Sequence, residues 1–269
     1  MSAGAAPPLG EVLEAMGPAT VAVSGGVDSL TLSTLAHRIL GDRATMAHAV
    51  SPAVPGEATQ RVKELAAREG WRLRVLDAGE FEDERYRANP VNRCFFCKGN
   101  LYGALAAQVG GQLLSGTNTD DLGEYRPGLI AAREHGVRHP FVEAGMDKNA
   151  VRRLAGELGL GSIATLPASP CLSSRVETTI PIEADALAAI HAAERLVAER
   201  LSPRTVRCRL RKTGVVIELD PEALGGLADD GRMRLTAEIA ALLPLRLAAS
   251  SVAFAPYRTG SAFVGQKTA

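Results

Sequence analysis

Residues 24–29, SGGVDS, constrain the chain more than any others because of what flanks them. Upstream, ATVAVS (19–24) is uncharged, apolar and rich in β-branched residues, and reads as a buried strand. Downstream, Leu30, Leu32, Leu35, Ala36, Ile39 and Leu40 recur at roughly helical spacing and stop at Gly41. A strand that passes through a glycine turn into a helix opens a βαβ unit, so a parallel sheet with crossover helices is expected. Gly25 and Gly26 let the backbone approach an anion with no Cβ in the way, and the helix start aims partial positive charge at it. Ser24 and Ser29 add hydroxyl donors. The letters differ from G-x-x-x-x-G-K-[ST], so the loop carries no lysine to attend a transferred γ-phosphate.

The first half of the chain continues in the same alternation. Strands are expected at 44–50, 71–77 and 111–115, with a weaker one at 137–142, and helices near 57–69, 98–109 and 147–159. The sum is a doubly wound α/β fold with a parallel sheet of about five strands. After Pro170 the pattern changes. Residues 184–201 are a strong helix by propensity, and 205–211 and 215–220 alternate around Gly214 like a hairpin. A shorter helix near 221–242 and a strand near 246–254 complete a small α+β unit. Pro167, Pro170 and Pro181 break regular structure between the two patterns, and the division is set at 1–172 and 173–269.

Composition narrows the function. Lys+Arg and Asp+Glu both number 30 in 269 residues, with 46% hydrophobic residues, which excludes disorder, collagen and coiled coil. A neutral balance supplies no global field to hold a polyanion, so nucleic-acid binding is disfavoured. The start MSAGAAPPLG has no charged and apolar signal pattern, and no stretch reaches ~18 uninterrupted apolar residues, so a soluble cytoplasmic protein with reduced thiols and no membrane contact is expected.

Four cysteines are then informative. Cys94 and Cys97 form a C-x-x-C just before a predicted helix, and Cys171 lies among breakers on a loop. Three thiols from two segments with no fourth ligand suit a 4Fe–4S cluster with one open iron, whereas closed structural zinc wants four. Cys208 lies between Arg207 and Arg209 on an alternating strand, faces the other way, and reads as core. Arg207 and Arg209, with Arg211 extending the row, project from one face and can fork a phosphate; the alternative is the solvated face of an edge strand. Asp120, Asp121, Glu124 and Arg126 follow a GTN turn at the carboxyl end of a predicted strand, where doubly wound folds bind ligands, although turn and capping roles fit Asp121 equally. His135 and His139 are expected at the surface.

Taken together, SGGVDS, NRCFFCK (92–98), GTNTDDLGEYRPGL (116–129), DKNAVRRLAGELGL (147–160), PCLSSR (170–175) and YRTGS (257–261) resemble the LarE family of the PP-loop superfamily. These are ATP-dependent sulfur transferases that make the nickel-pincer cofactor of lactate racemase. The resemblance implies an adenine nucleotide α-hydrolase-like PP-loop domain followed by a small domain, assembled as a homohexamer. It implies ATP and Mg2+, with Asp28 holding the magnesium and pyrophosphate and Ser24, Gly25, Gly26 and Ser29 around the nucleotide. The substrate would be pyridinium-3,5-biscarboxylic acid mononucleotide, activated as an acyl adenylate and then thiolated, twice. Cys171 matches the cysteine that provides or handles sulfur. Members carrying Cys94 and Cys97 as well bind a 4Fe–4S cluster, while others sacrifice the sulfur of the single cysteine. Glu194 matches a glutamate near the sulfur site, and Arg207 and Arg209 match arginines that contact the substrate phosphate. A sulfur donor protein or sulfide is the implied partner. Two segments depart from the pattern: Glu177, Thr178 and Thr179 stand where a Pro-Tyr-Gly turn is usual, and residues 253–258 lack the family's acidic residue. A tRNA-thiolating PP-loop enzyme would share the cysteines but want a basic face, and a cluster-bearing nucleotide sensor would bind ATP without turnover.

Overall fold

The computed structural model describes residues 7–123, 126–247 and 249–264. In chain order its elements are α1 (Leu9–Glu14), β1 (Ala19–Ala22), α2 (Val27–Leu40), β2 (Ala44–Ala49), α3 (Gly56–Glu69), β3 (Leu73–Leu76), α4 (Glu84–Arg87), α5 (Arg93–Gln108) and β4 (Gln112–Leu114). There follow α6 (Pro127–Glu134), α7 (Pro140–Glu143), α8 (Lys148–Glu157), α9 (Ala184–Leu201), β5 (Val206–Arg211), β6 (Gly214–Leu219), α10 (Pro221–Gly225), α11 (Asp229–Ala240) and β7 (Val252–Pro256). The chain divides into one unit of Met1–Asp83 with Asn92–Ser169, and a second of Glu84–Val91 with Pro170–Ala269.

In the first unit the strands lie in the order β3-β2-β1-β4, all parallel, with Val21 paired to Met46 on one side and to Leu114 on the other. The chain winds outward from β1 to β3 and then crosses back to place β4 on the opposite side of β1. The carboxyl ends of β1 and β4 are therefore the topological switch, where crossovers leave in opposite directions and open a crevice. Val21, Leu30, Leu32, Ala36, Met46 and Leu114 form the centre of the core. Their burial explains the near-continuous apolar reading of β1, since a parallel strand is covered on both faces. The fifth strand at 137–142 does not form. Arg138 makes only an isolated bridge to Leu114, and Pro140, with no amide to donate, starts the helical turn α7 instead.

In the second unit β5 and β6 are the expected antiparallel hairpin, and β7 runs parallel to β6. α9 covers β5 with Leu187, Ile190, Ala193 and Val197. The helix expected over 221–242 is broken in two, because Gly225 and Gly226 end α10 before Ala228 starts α11. The strand expected near 246–254 forms further along the chain, as β7 over Val252–Pro256. Residues 84–91 also belong here: Tyr86 Oη lies 2.6 Å from Ser173 Oγ, and the buried Asn89 donates from Nδ2 to the carbonyls of Glu177 and Ile180 at 2.9 and 2.8 Å. Asn89 holds φ 53°, a left-handed conformation that asparagine tolerates better than most residues.

Candidate active site

The SGGVDS loop closes on Ser29. Its Oγ accepts from the Ser24 amide at 3.1 Å, donates to Gly26 O at 3.1 Å and lies 3.1 Å from Ser24 Oγ. Gly25 sits at φ +84°, and a Cβ there would stand 2.8 Å from Ala58 O, so only glycine fits. Gly26 is the N-cap of the 14-residue α2 and no side chain caps that helix, which leaves its leading amides to an anion. The turn after β4 meets this loop closely. A Cβ on Gly116 would stand 2.8 Å from Ser29 N and 2.9 Å from the Asp28 carbonyl carbon.

That approach assembles a polar cluster around Asp28. Asn118 Nδ2 donates to Asp28 Oδ1 at 3.3 Å, and Lys148 Nζ reaches Asp28 Oδ2 at 2.5 Å. Asp120 Oδ2 accepts from the Lys148 amide at 3.1 Å, which ties the start of α8 to the same turn. Asp121 takes the turn role: it accepts from the Asn118 amide at 3.1 Å and pairs with Arg126 at 2.8 Å. Glu124 lies outside the described residues. Asp28 and Lys148 keep 25% and 31% of their side chains exposed, so both remain reachable by a ligand. Lys148 is the residue that sequence reasoning missed; its signal was the Asp-Lys pair at the start of a strong helical period, with Asp147 as N-cap. His139, expected at the surface, is half-buried beside this turn, with Nδ1 2.7 Å from Ser115 Oγ. Burial lowers its pKa against the opposing charges of Glu143 and Asp121.

Cys94 and Cys97 do not precede the helix but sit inside its first turns, since α5 starts at Arg93 with Asn92 as N-cap. Three residues apart, they share one helical face, and both are half-buried. Among the described residues, no group of three or more His, Cys, Asp or Glu is placed to hold a metal ion. None of the four cysteines is in a disulfide.

Cys171 belongs to the second unit, is exposed, and caps the 3-10 turn Leu172–Arg175. Arg175 shapes its backbone, donating from Nη1 to Pro170 O at 2.6 Å and to Cys171 O at 3.1 Å. The same guanidinium is gripped by Glu194 through two bonds, at 2.9 and 3.0 Å, and Glu194 Oε1 also accepts the Cys208 amide at 3.0 Å. Arg175 thus links Glu194 to the backbone at Cys171. Cys208 is fully buried and its thiol pKa is pushed far up by burial and then by Glu194, so it stays protonated.

Arg207 and Arg209 share a face of β5, but their surroundings differ. Arg209 is buried, donates to Glu218 Oε2 at 2.9 Å and to the carbonyls of Ser174 and Arg258 at 3.1 and 3.3 Å. Burial would raise the Glu218 carboxyl, yet bonds from Ser261, Arg209 and Arg211 hold it below its ordinary value. Arg207 is half-buried and lies over the Tyr257 ring at 5.9 Å. Its pKa is lowered, chiefly by burial and then by the charge of Arg175. The row is a concentration of cationic side chains packed into the unit rather than a solvated edge.

A doubly wound parallel sheet with an SGGVDS loop at its switch point, followed by a small mixed sheet, defines an α/β domain of PP-loop type with a small second domain. The chain matches no protein-family model. It is 37% identical over 216 residues to an uncharacterized protein of Synechocystis sp., covering 79% of this chain and 80% of that one. It is 34% identical over 209 residues to pyridinium-3,5-bisthiocarboxylic acid mononucleotide synthase of Lactiplantibacillus plantarum, covering 76% of this chain and 75% of the synthase. An uncharacterized protein of Methanocaldococcus jannaschii is 27% identical over 206 residues, covering 75% and 77%. The chain belongs to the family of that synthase, the LarE family. No helix among the described residues is long and apolar enough to cross a membrane.

Proposed function

We propose that this chain is an ATP-dependent sulfur transferase acting on pyridinium-3,5-biscarboxylic acid mononucleotide. The observation that carries the reading is the Asp28 cluster: a carboxylate and a lysine held at the mouth of an uncapped helix, in a relative of a protein named for making the bisthiocarboxylic product. The amides of residues 24–29 cradle the phosphates of ATP, Lys148 adds positive charge, and Asp28 holds Mg2+ on the pyrophosphate. A substrate carboxylate oxygen attacks the α-phosphorus, the bond to pyrophosphate breaks, and an acyl adenylate forms. Sulfur then attacks the acyl carbon and AMP leaves with the electron pair. The cycle repeats at the second carboxylate.

Cys171 is the sulfur-handling residue, and Glu194 positions it by way of Arg175. Arg207 and Arg209 take the mononucleotide phosphate, Arg207 presenting more of its guanidinium and Arg209 braced by Glu218. Cys94, Cys97 and Cys171 hold a 4Fe–4S cluster. What supports it is the donor chemistry: thiols suit iron, and Cys94 and Cys97 are spaced on one helical face at a helix start. Bound there, such a cluster would supply a transferable sulfide. A sulfur donor protein or sulfide renews the sulfur, and the working form is a homo-oligomer.

The test is incubation of the protein with ATP, Mg2+ and the pyridinium mononucleotide. AMP and pyrophosphate should appear only when the mononucleotide is present, and Asp28→Asn should abolish both. ADP as product would overturn the reading. Anaerobic reconstitution with iron and sulfide should give four irons per chain, and Cys94→Ser should lose them.

A further inference from the structure

Helix α3 is bound to the back of the phosphate loop at three points. Arg61 Nη1 donates to Gly25 O at 2.7 Å. The fully buried His48, near the end of β2, places Nδ1 2.8 Å from Val23 O. A carbonyl only accepts, so Nδ1 carries the proton, and Nε2 accepts from Thr59 Oγ1 at 2.9 Å. The third point is the Ala58 carbonyl, which fills the space a Cβ on Gly25 would need. Ala58, Thr59 and Arg61 are all in the first two turns of α3.

Both clamped groups are carbonyls of the loop. In a planar trans peptide the C=O and the following N–H point in opposite directions. Holding Gly25 O toward α3 therefore turns the Gly26 amide away from α3, and holding Val23 O turns the Ser24 amide inward, where it meets Ser29 Oγ at 3.1 Å. Arg61 is half-exposed, and among the described residues no carboxylate lies within ion-pair distance of it. What a guanidinium adds is charge beside a loop built for an anion.

We propose that Arg61 and His48 are positioning residues for the polyphosphate of ATP, clamping the carbonyls of Gly25 and Val23 so that the loop amides face the anion before it arrives. This rests on the ATP-binding reading above. Pre-orientation of this kind lowers the cost of binding, because the donors need no reorganisation when the ligand enters.

The test is calorimetric titration of the full chain with Mg-pyrophosphate, with MgATP and with adenosine, alongside circular dichroism. Arg61→Gln should weaken pyrophosphate and ATP at least tenfold and leave adenosine unchanged, and Arg61→Lys should recover part of the loss. His48→Gln, which keeps a donor, should bind pyrophosphate more tightly than His48→Leu. In turnover, Arg61→Gln should raise KM for ATP more than it lowers kcat. Equal pyrophosphate affinity in Arg61→Gln and the unmodified chain would remove the positioning role alone. So would an equal loss for adenosine and pyrophosphate, which would mean general collapse of the loop. An unmodified chain that binds neither nucleotide nor pyrophosphate would overturn the ATP reading itself, and this proposal with it.

Discussion

Glu194→Ala should cost the second unit about 4 kcal/mol of stability, within the ~3–5 kcal/mol typical of breaking a buried ion pair. The pair is nearly dry, with Arg175 4% and Glu194 11% exposed. Removing the carboxylate deletes two charge-assisted bonds to Arg175, each worth ~1.5–3 kcal/mol, and strands the Cys208 amide at a further ~1–3 kcal/mol. The sum overshoots because the losses share one carboxylate. Glu194→Gln keeps an acceptor and should cost about half as much. The double variant Arg175→Met/Glu194→Leu should be less destabilised than Glu194→Ala, because no uncompensated charge is left inside. Urea unfolding followed by circular dichroism measures all three, and the alkylation rate of Cys171 reads the loop that Arg175 holds. A loss under ~1 kcal/mol for Glu194→Ala would refute the reasoning, as would a double variant worse than the sum of the singles.

Gly116→Ala should abolish nucleotide binding, since the new Cβ would stand 2.8 Å from Ser29 N, while Gly156→Ala in α8, where nothing lies within 4 Å, should stabilise by ~0.5–1 kcal/mol; melting curves and ATP titration separate the two. Arg207→Ala should raise the half-saturating substrate concentration at fixed ATP by the equivalent of ~1.5–3 kcal/mol, and Arg207→Lys should restore only part, because lysine lacks the planar fork. The Glu218 carboxyl has a folded pKa below its ordinary 4.5, so its contribution is complete above that value and is lost as pH falls below it. Acid unfolding of Glu218→Gln should accordingly be less pH-dependent than that of the parent, and identical pH profiles would contradict the assignment.

The SGGVDS turn between β1 and α2 was legible because strand, glycine turn and helix are local, and each is written in consecutive residues. The same holds for α9 and for the β5–β6 hairpin, whose register follows from alternation around Gly214. The failures were also physical. At 137–142 the apolar letters resembled a strand, but Pro140 removed a ladder donor and the segment turned helical. The start of α5 was placed too late because Cys94, Phe95, Phe96 and Cys97 are indifferent helix formers. Lys148 and Arg61 escaped notice because their partners lie 120 and 36 residues away, at distances that no local pattern records. Arg209 was legible as part of a row, yet its burial against Glu218 is a diagonal contact, since Arg209 pairs with Val216 and Glu218 with Arg207 across the hairpin.

The allegiance of residues 84–91 sets the order of events at the ribosome. Asn89 needs carbonyls made 87 to 91 residues later, and Tyr86 needs a hydroxyl made 87 residues later. At a synthesis rate of ~5–20 residues per second, that is a wait of roughly 4 to 18 s. The nascent chain must carry this octet idle, with its tyrosine ring uncovered, while the segment bearing Cys94 and Cys97 emerges just behind it. A truncation at residue 169 would make that wait permanent, so the first unit cannot be prepared cleanly by cutting the gene once; excising 84–91 and bridging its ends is the cut that follows the protein's own seams.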